Sequence, residues 1–207
     1  MVYRKTKGTE ERKEARRRLL LDAATRLFGK HGYHATTVPM IVAEAESSTG
    51  SFYMHFRSKE DVFIAALEEL GRDIMDVINE VTASQPDALK RISQTTDAIF
   101  LFLARNQELA RILIIESSGI SPLVEKTRRA ILLQQEEEVR KSLESAPALF
   151  AVESTSIAAR CMAGAAFEAF YCWLDENPKE RMPAEKVARA VAQFNTQAVK
   201  NVPVRHR

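Results

Sequence analysis

The chain is poor in the residues that staple or break structure. Two cysteines in 207 residues, Cys161 and Cys172, exclude a disulfide scaffold. Carried on one helix, they would stand roughly 16 Å apart, beyond the reach of a bridge. Seven glycines and seven prolines leave few turns, which favours long helices over many short strands. Long apolar runs are missing too. The longest candidate, Ile157 to Leu174, contains Arg160 and Glu168 and reads as a buried helix, not a membrane span. Behind Met1 stand Arg4, Lys5 and Lys7 without an apolar stretch, so no secretory leader is expected and the chain should be soluble and cytoplasmic. Enzyme signatures are absent: no Gly-rich phosphate loop, no Gly-x-Ser-x-Gly, no His-Glu-x-x-His. His31 and His34 lack partner ligands at a metal-site spacing, so neither a metal nor a cofactor is expected.

What is present is a 45% apolar chain whose small net charge of +2 is unevenly placed. Residues 1–65 carry 12 Lys/Arg against 8 Asp/Glu, while the remainder is slightly acidic. A basic head on a near-neutral body points to a polyanion partner. Residues 1–9 are polar and are expected to form a mobile arm. From Glu10, Leu20, Ala23, Ala24, Leu27 and Phe28 fall on one helical face, with Gly29 and Gly32 as the stop. Thr36-Thr37 offers a cap for a short helix whose Val38, Ile41, Val42 and Ala45 face inward. Ser48 caps a third helix to about Phe56, and Ser58 caps a fourth with Glu60-Asp61 at its start. Phe63, Leu67, Leu70, Ile74, Val77 and Val81 give that fourth helix a continuous seam. Helices near 87–105, 108–117, 122–145, 153–175 and 183–202 complete an all-α chain of about nine helices, divided into a head, 1–65, and a body, 66–207.

Residues 36–62 read as helix, tight turn, short helix, the pattern that places its second helix in the DNA major groove. Ser48, Thr49 and Ser51 are short hydrogen-bonding groups at the helix start, and Gly50 permits close backbone approach. Tyr53 and His55 offer donors to phosphates, and Arg57 and Lys59 add positive charge. Phe52 and Phe56, four apart, should point inward. With Ala23-Ala24-x-x-Leu27-Phe28, Gly32-Tyr33, Thr36-Thr37, Tyr53, His55-Phe56 and Ser58-Lys59 in register, the segment of about residues 15–65 resembles the DNA-binding domain of the TetR family of bacterial repressors. The resemblance implies that Thr37 caps the second helix and touches a phosphate. It also makes Thr49, Gly50, Ser51, Tyr53 and His55 the recognition element and places Lys59 on the DNA backbone. Three positions depart from the family pattern. Glu46-Ser47 stands for the usual Gly-Val, which should alter the turn; Val42 stands for Ala; and Thr49 occupies a commonly basic position.

In the body the resemblance implies only architecture: helices for ligand binding and dimerisation. The helical wheel adds local detail. Ala158, Cys161, Ala165, Ala169 and Cys172 form a narrow small-residue stripe, assigned with Val187, Val191, Phe194 and Ala198 to a homodimer interface. Phe167, Phe170, Tyr171 and Leu174 lie opposite and are assigned, with Phe100, Leu103, Ile112 and Ile115, to the wall of a pocket. The expected partners are a double-stranded DNA operator, a hydrophobic small-molecule effector and a second copy of the chain, with no membrane. Two alternatives stay open at this point. One is a helical ligand-binding or enzymatic protein that has lost operator binding, and the other is an activator in place of a repressor.

Overall fold

A computed structural model of the chain describes residues 7–150 and 152–200. Among them are nine α-helices: α1 (Lys7–His31), α2 (Val38–Glu44), α3 (Thr49–His55), α4 (Lys59–Ser84), α5 (Ala88–Arg105), α6 (Gln107–Arg111), α7 (Pro122–Glu144), α8 (Thr155–Asp175) and α9 (Ala184–Val199). A π-helical turn, Ile112–Glu116, continues α6, and a single 3-10 turn spans Pro147–Leu149. No strand occurs among the described residues beyond one isolated bridge, Phe150 to Lys200. No described helix is long and apolar enough to cross a membrane. Of the expected arm, residues 1–6 lie outside the described residues; α1 already starts at Lys7, three residues before Glu10.

The helix starts follow local chemistry. Thr37, Ser48, Ser58 and Ser121 each sit in extended backbone and accept a hydrogen bond from an N–H of the first turn. Asp87 and Ser154 do the same for α5 and α8. Gly32, at φ +83, ends α1, since only glycine takes that conformation without strain. Gly29 is not part of the stop. It lies inside α1 where α6 passes so closely that a Cβ would stand 2.6 Å from Glu108 Cβ.

One hydrophobic cluster runs from α1 (Leu20, Phe28) through α3 (Phe52) and α4 (Phe63, Leu70, Ile74) to α8 (Phe170, Trp173). A boundary at 65/66 therefore falls inside an unbroken α4, whose buried face crosses it with Phe63, Ala66 and Leu67. The α4 seam departs from expectation at one step: after Ile74 it continues through Ile78, with Val77 half-buried at its flank. A smaller cluster, with Ile92, Leu143, Phe150, Met162 and Val199, closes the far end of the body.

Candidate nucleic-acid interface and interior cavity

Helices α2 and α3 are joined by Ala45–Ser48, and the turn is made by Glu46 in the left-handed region, at φ +45. The backbone thus adopts at Glu46 what a glycine would adopt freely, so the missing glycine leaves the turn in place at a cost in strain. Ser47 Oγ is buried there without a hydrogen-bond partner among the described residues. The α3 helix is pinned by Phe52, fully buried, and Phe56, nearly so, their rings 5.7 Å apart. With that face fixed, the opposite face must project. Tyr53 is 56% exposed and Met54 71% exposed. Thr37, Ser48, Thr49 and Gly50 are exposed, and Ser51 and His55 half-exposed. The proposed recognition residues therefore share one outward surface, with Met54 an addition that the sequence motif did not single out.

Basic residues of α1 flank this surface. Lys13, Arg17, Met54 and His55 share a shallow cleft with Glu10 and Glu14, and the Arg17 guanidinium lies over the Phe56 ring at 5.2 Å. Partial burial first, then Lys13 and Arg17, push the His55 imidazole below its ordinary 6.5, with Glu14 opposing. Lys59, expected on a phosphate, has its ammonium turned inward. It donates to the carbonyls of Tyr33 (2.7 Å), Thr36 (2.9 Å) and His34 (3.5 Å) and lies over the Tyr33 ring. Burial pushes its pKa down. Lys59 thus clamps the loop that carries Thr37.

The body contains a partly open apolar cavity of about 80 Å³. Of the residues expected in its wall, Phe100, Leu103, Phe167 and Phe170 line it. Ile112, Ile115, Tyr171 and Leu174 do not. The π-turn carries the wall instead on Leu113 and Ile114, because an extra residue in one turn rotates the register away from the 3.6-residue wheel. Tyr171 faces solvent and Leu174 packs in the core. Sequence reasoning missed Ile78 of α4 and the polar members Thr95, Thr96, Gln135 and Asn195. Asn195 is 2% exposed, and its Nδ2 donates to Met162 O at 3.1 Å.

The residues assigned to a dimer interface divide. Cys161, Cys172 and Ala198 are exposed, Phe194 is 63% exposed, and Ala158, Ala165 and Ala169 are half-buried. Val191 is instead buried within the chain and Val187 packs on its core. The inner face of α9 is Ala188, Val191, Ala192, Asn195 and Val199, so Val191 is corrected to a core position, while Val187 is half-buried at the edge of that face. Ile157, 65% exposed, joins the outward face of α8.

Residues 20–66 match the family described as bacterial regulatory proteins, tetR family. Among curated relatives, an uncharacterised HTH-type transcriptional regulator, YdgC of Bacillus subtilis, is 33% identical over 116 residues, 52% of this chain and 55% of its own length. The chain spans about half or less of the length of the first curated relatives it matches. Among solved structures, a TetR-family transcriptional regulator from Syntrophomonas wolfei superposes with a TM-score of 0.78 at 22% identity, covering 93% of this chain and 99% of that one. SmeT of Stenotrophomonas maltophilia, in a complex with triclosan, gives 0.78 at 22% identity, covering 92% and 94%. The fold is shared over 93% of the chain, and its segment 20–66 matches the tetR family of bacterial regulatory proteins.

Proposed function

We propose that the chain is a cytoplasmic, homodimeric transcriptional regulator that binds a pseudo-palindromic DNA operator and is released from it by a hydrophobic small molecule. The single observation that carries the reading is the face of α3: Phe52 and Phe56 held inside, Tyr53 and its polar neighbours outside. In this arrangement the second helix enters the major groove, and a two-fold dimer presents two such helices to half-sites about 34–36 Å apart. The left-handed turn at Glu46 supports operator binding over the reading in which it is lost, since the helix-turn-helix geometry does not depend on the missing glycine. The head, 1–65, is the DNA-reading unit and the body, 66–207, the ligand-binding and dimerising unit.

Two elements connect cavity to head. Ile78 lines the cavity on α4, whose other end begins at Lys59 in the head. Leu113 and Ile114 line it on the π-turn, where Glu116 Oε2 accepts the Tyr33 N–H at 3.0 Å. A ligand that moves either element moves the recognition helices apart or together, with a coupling of about 1–3 kcal/mol. Fluorescence polarisation on fragments containing the chain's own upstream region tests the reading. Specific binding should fall at least tenfold in Tyr53→Ala, and an unaffected variant sinks the recognition-helix assignment. Reporter expression in a deletion strain, expected to rise, separates repression from activation.

A further inference from the structure

Every residue lining the cavity is uncharged. The Arg128 guanidinium lies over the Phe167 ring, 5.4 Å from its centroid, but it pairs with Glu125 and is not part of the wall. Asp97 has a buried oxygen without a partner, yet it too stands outside the wall. A carboxylate, phosphate or ammonium entering this space would leave water with no opposite charge to meet it, which strongly disfavours it.

Four wall residues are polar, Thr95, Thr96, Gln135 and Asn195, and of these Asn195 alone has a buried atom without a partner. Thr96 Oγ1 is already engaged, donating to Ile92 O at 2.9 Å. Asn195 Nδ2 is engaged with Met162 O, and that bond fixes the amide so that its Oδ1 is the free end. Oδ1 accepts no hydrogen bond among the described residues and is closed off even from a water-sized atom, so a guest reaches it only as the wall yields. A buried acceptor left unpaired is costly, so a guest that supplies a donor gains more than one that fills space alone. A guest with only an acceptor gains nothing at this atom.

From these observations we infer that the cavity selects an uncharged, largely apolar small molecule carrying one hydroxyl-type donor, a phenol or alcohol, whose O–H is accepted by Asn195 Oδ1. This rests on the ligand-responsive reading and narrows it. Size sharpens the class. At about 80 Å³ the space is smaller than the roughly 150 Å³ of an apolar cavity that takes benzene. Even a one-ring guest must therefore press the wall outward. Met162, with its flexible thioether, is the most yielding member.

Titration calorimetry of the full chain, without DNA, tests this with four one-ring compounds: 4-ethylphenol, its methyl isostere 4-ethyltoluene, the acceptor-only 4-ethylanisole, and 4-ethylbenzoate. The phenol is expected to bind about tenfold tighter than the isostere and the ether, and the benzoate not measurably. Asn195→Leu should keep 4-ethyltoluene binding and lose the preference for the phenol. If that variant does not fold, the phenol–ether comparison on the unaltered protein decides alone. Equal binding of phenol and ether, or preference for the benzoate, overturns the inference and leaves the cavity a ligand site. Binding of none of the four overturns both, while operator binding by α3 is judged separately by polarisation.

Discussion

Single residues carry the local balance of the head. Glu46 holds a left-handed conformation that costs a side-chain-bearing residue about 1–2 kcal/mol. Glycine there would give back part of that gain as unfolded-state entropy, about 0.5–1 kcal/mol. Glu46→Gly is therefore expected to stabilise the chain by about 0.5–1 kcal/mol in urea denaturation with DNA binding retained; a loss of stability would show that Glu46 makes a compensating contact. Lys59 makes a second case. As a clamp on three carbonyls, its removal in Lys59→Met should destabilise by about 2–3 kcal/mol. The slope of DNA affinity against salt should stay unchanged, whereas a phosphate contact would lower that slope by about one. His55 sets a pH dependence. Its folded pKa lies below the ordinary 6.5, so well above 6.5 folded and unfolded imidazoles are both neutral. As pH falls from 6.5 toward the folded value, the unfolded chain binds more protons and stability declines. Phosphates at the α3 surface act the other way, favouring imidazolium, so operator affinity should rise over the same window. His55→Gln should flatten both curves, read by melting and by polarisation across pH.

At the scale of elements, close approach between helices matters more than helix propensity. A Cβ on Gly29 would stand 2.6 Å from Glu108 Cβ and 2.7 Å from its Cα, a backbone atom that cannot swing aside. Gly29→Ala is expected to cost about 1–3 kcal/mol or more, because α6 must move off α1. Glu116→Ala leaves the Tyr33 N–H without its acceptor and is expected to shrink the effect of ligand on DNA affinity; an undiminished effect would place the coupling in α4 alone. These features explain what could be read from residue order. Caps at Thr37, Ser48 and Ser58 were legible because a cap is a contact within one turn. The inward Phe52 and Phe56 were legible because they are four apart. The cavity wall was only half legible: Leu113 and Ile114 replace Ile112 and Ile115 because a π-turn depends on packing and leaves no local signature. The inner face of α9 was misread because Asn195 interrupts its apolar stripe. That interruption, a lone amide among Val191, Ala192 and Val199, was itself the available clue to the cavity.

For the whole molecule, the outward faces of α8 and α9 are the feature that a single chain does not explain. Phe194 and Ile157 stand among the most exposed large apolar side chains, on helices that pack against each other. In the proposed homodimer a second copy covers them. Phe194→Asp is expected to convert dimer to monomer in analytical ultracentrifugation and to weaken operator binding with it; an intact dimer would move the interface elsewhere. The chain also contains a single tryptophan, Trp173, whose ring lies 5.8 Å from Phe100 and 5.4 Å from Phe170, both in the cavity wall. Its indole N–H is bonded to Met182 O and Arg181 lies over its face. The protein thus carries a built-in optical reporter. Whatever displaces those two rings changes the surroundings of one fluorophore, so emission from unlabelled protein should follow occupancy of the interior in real time.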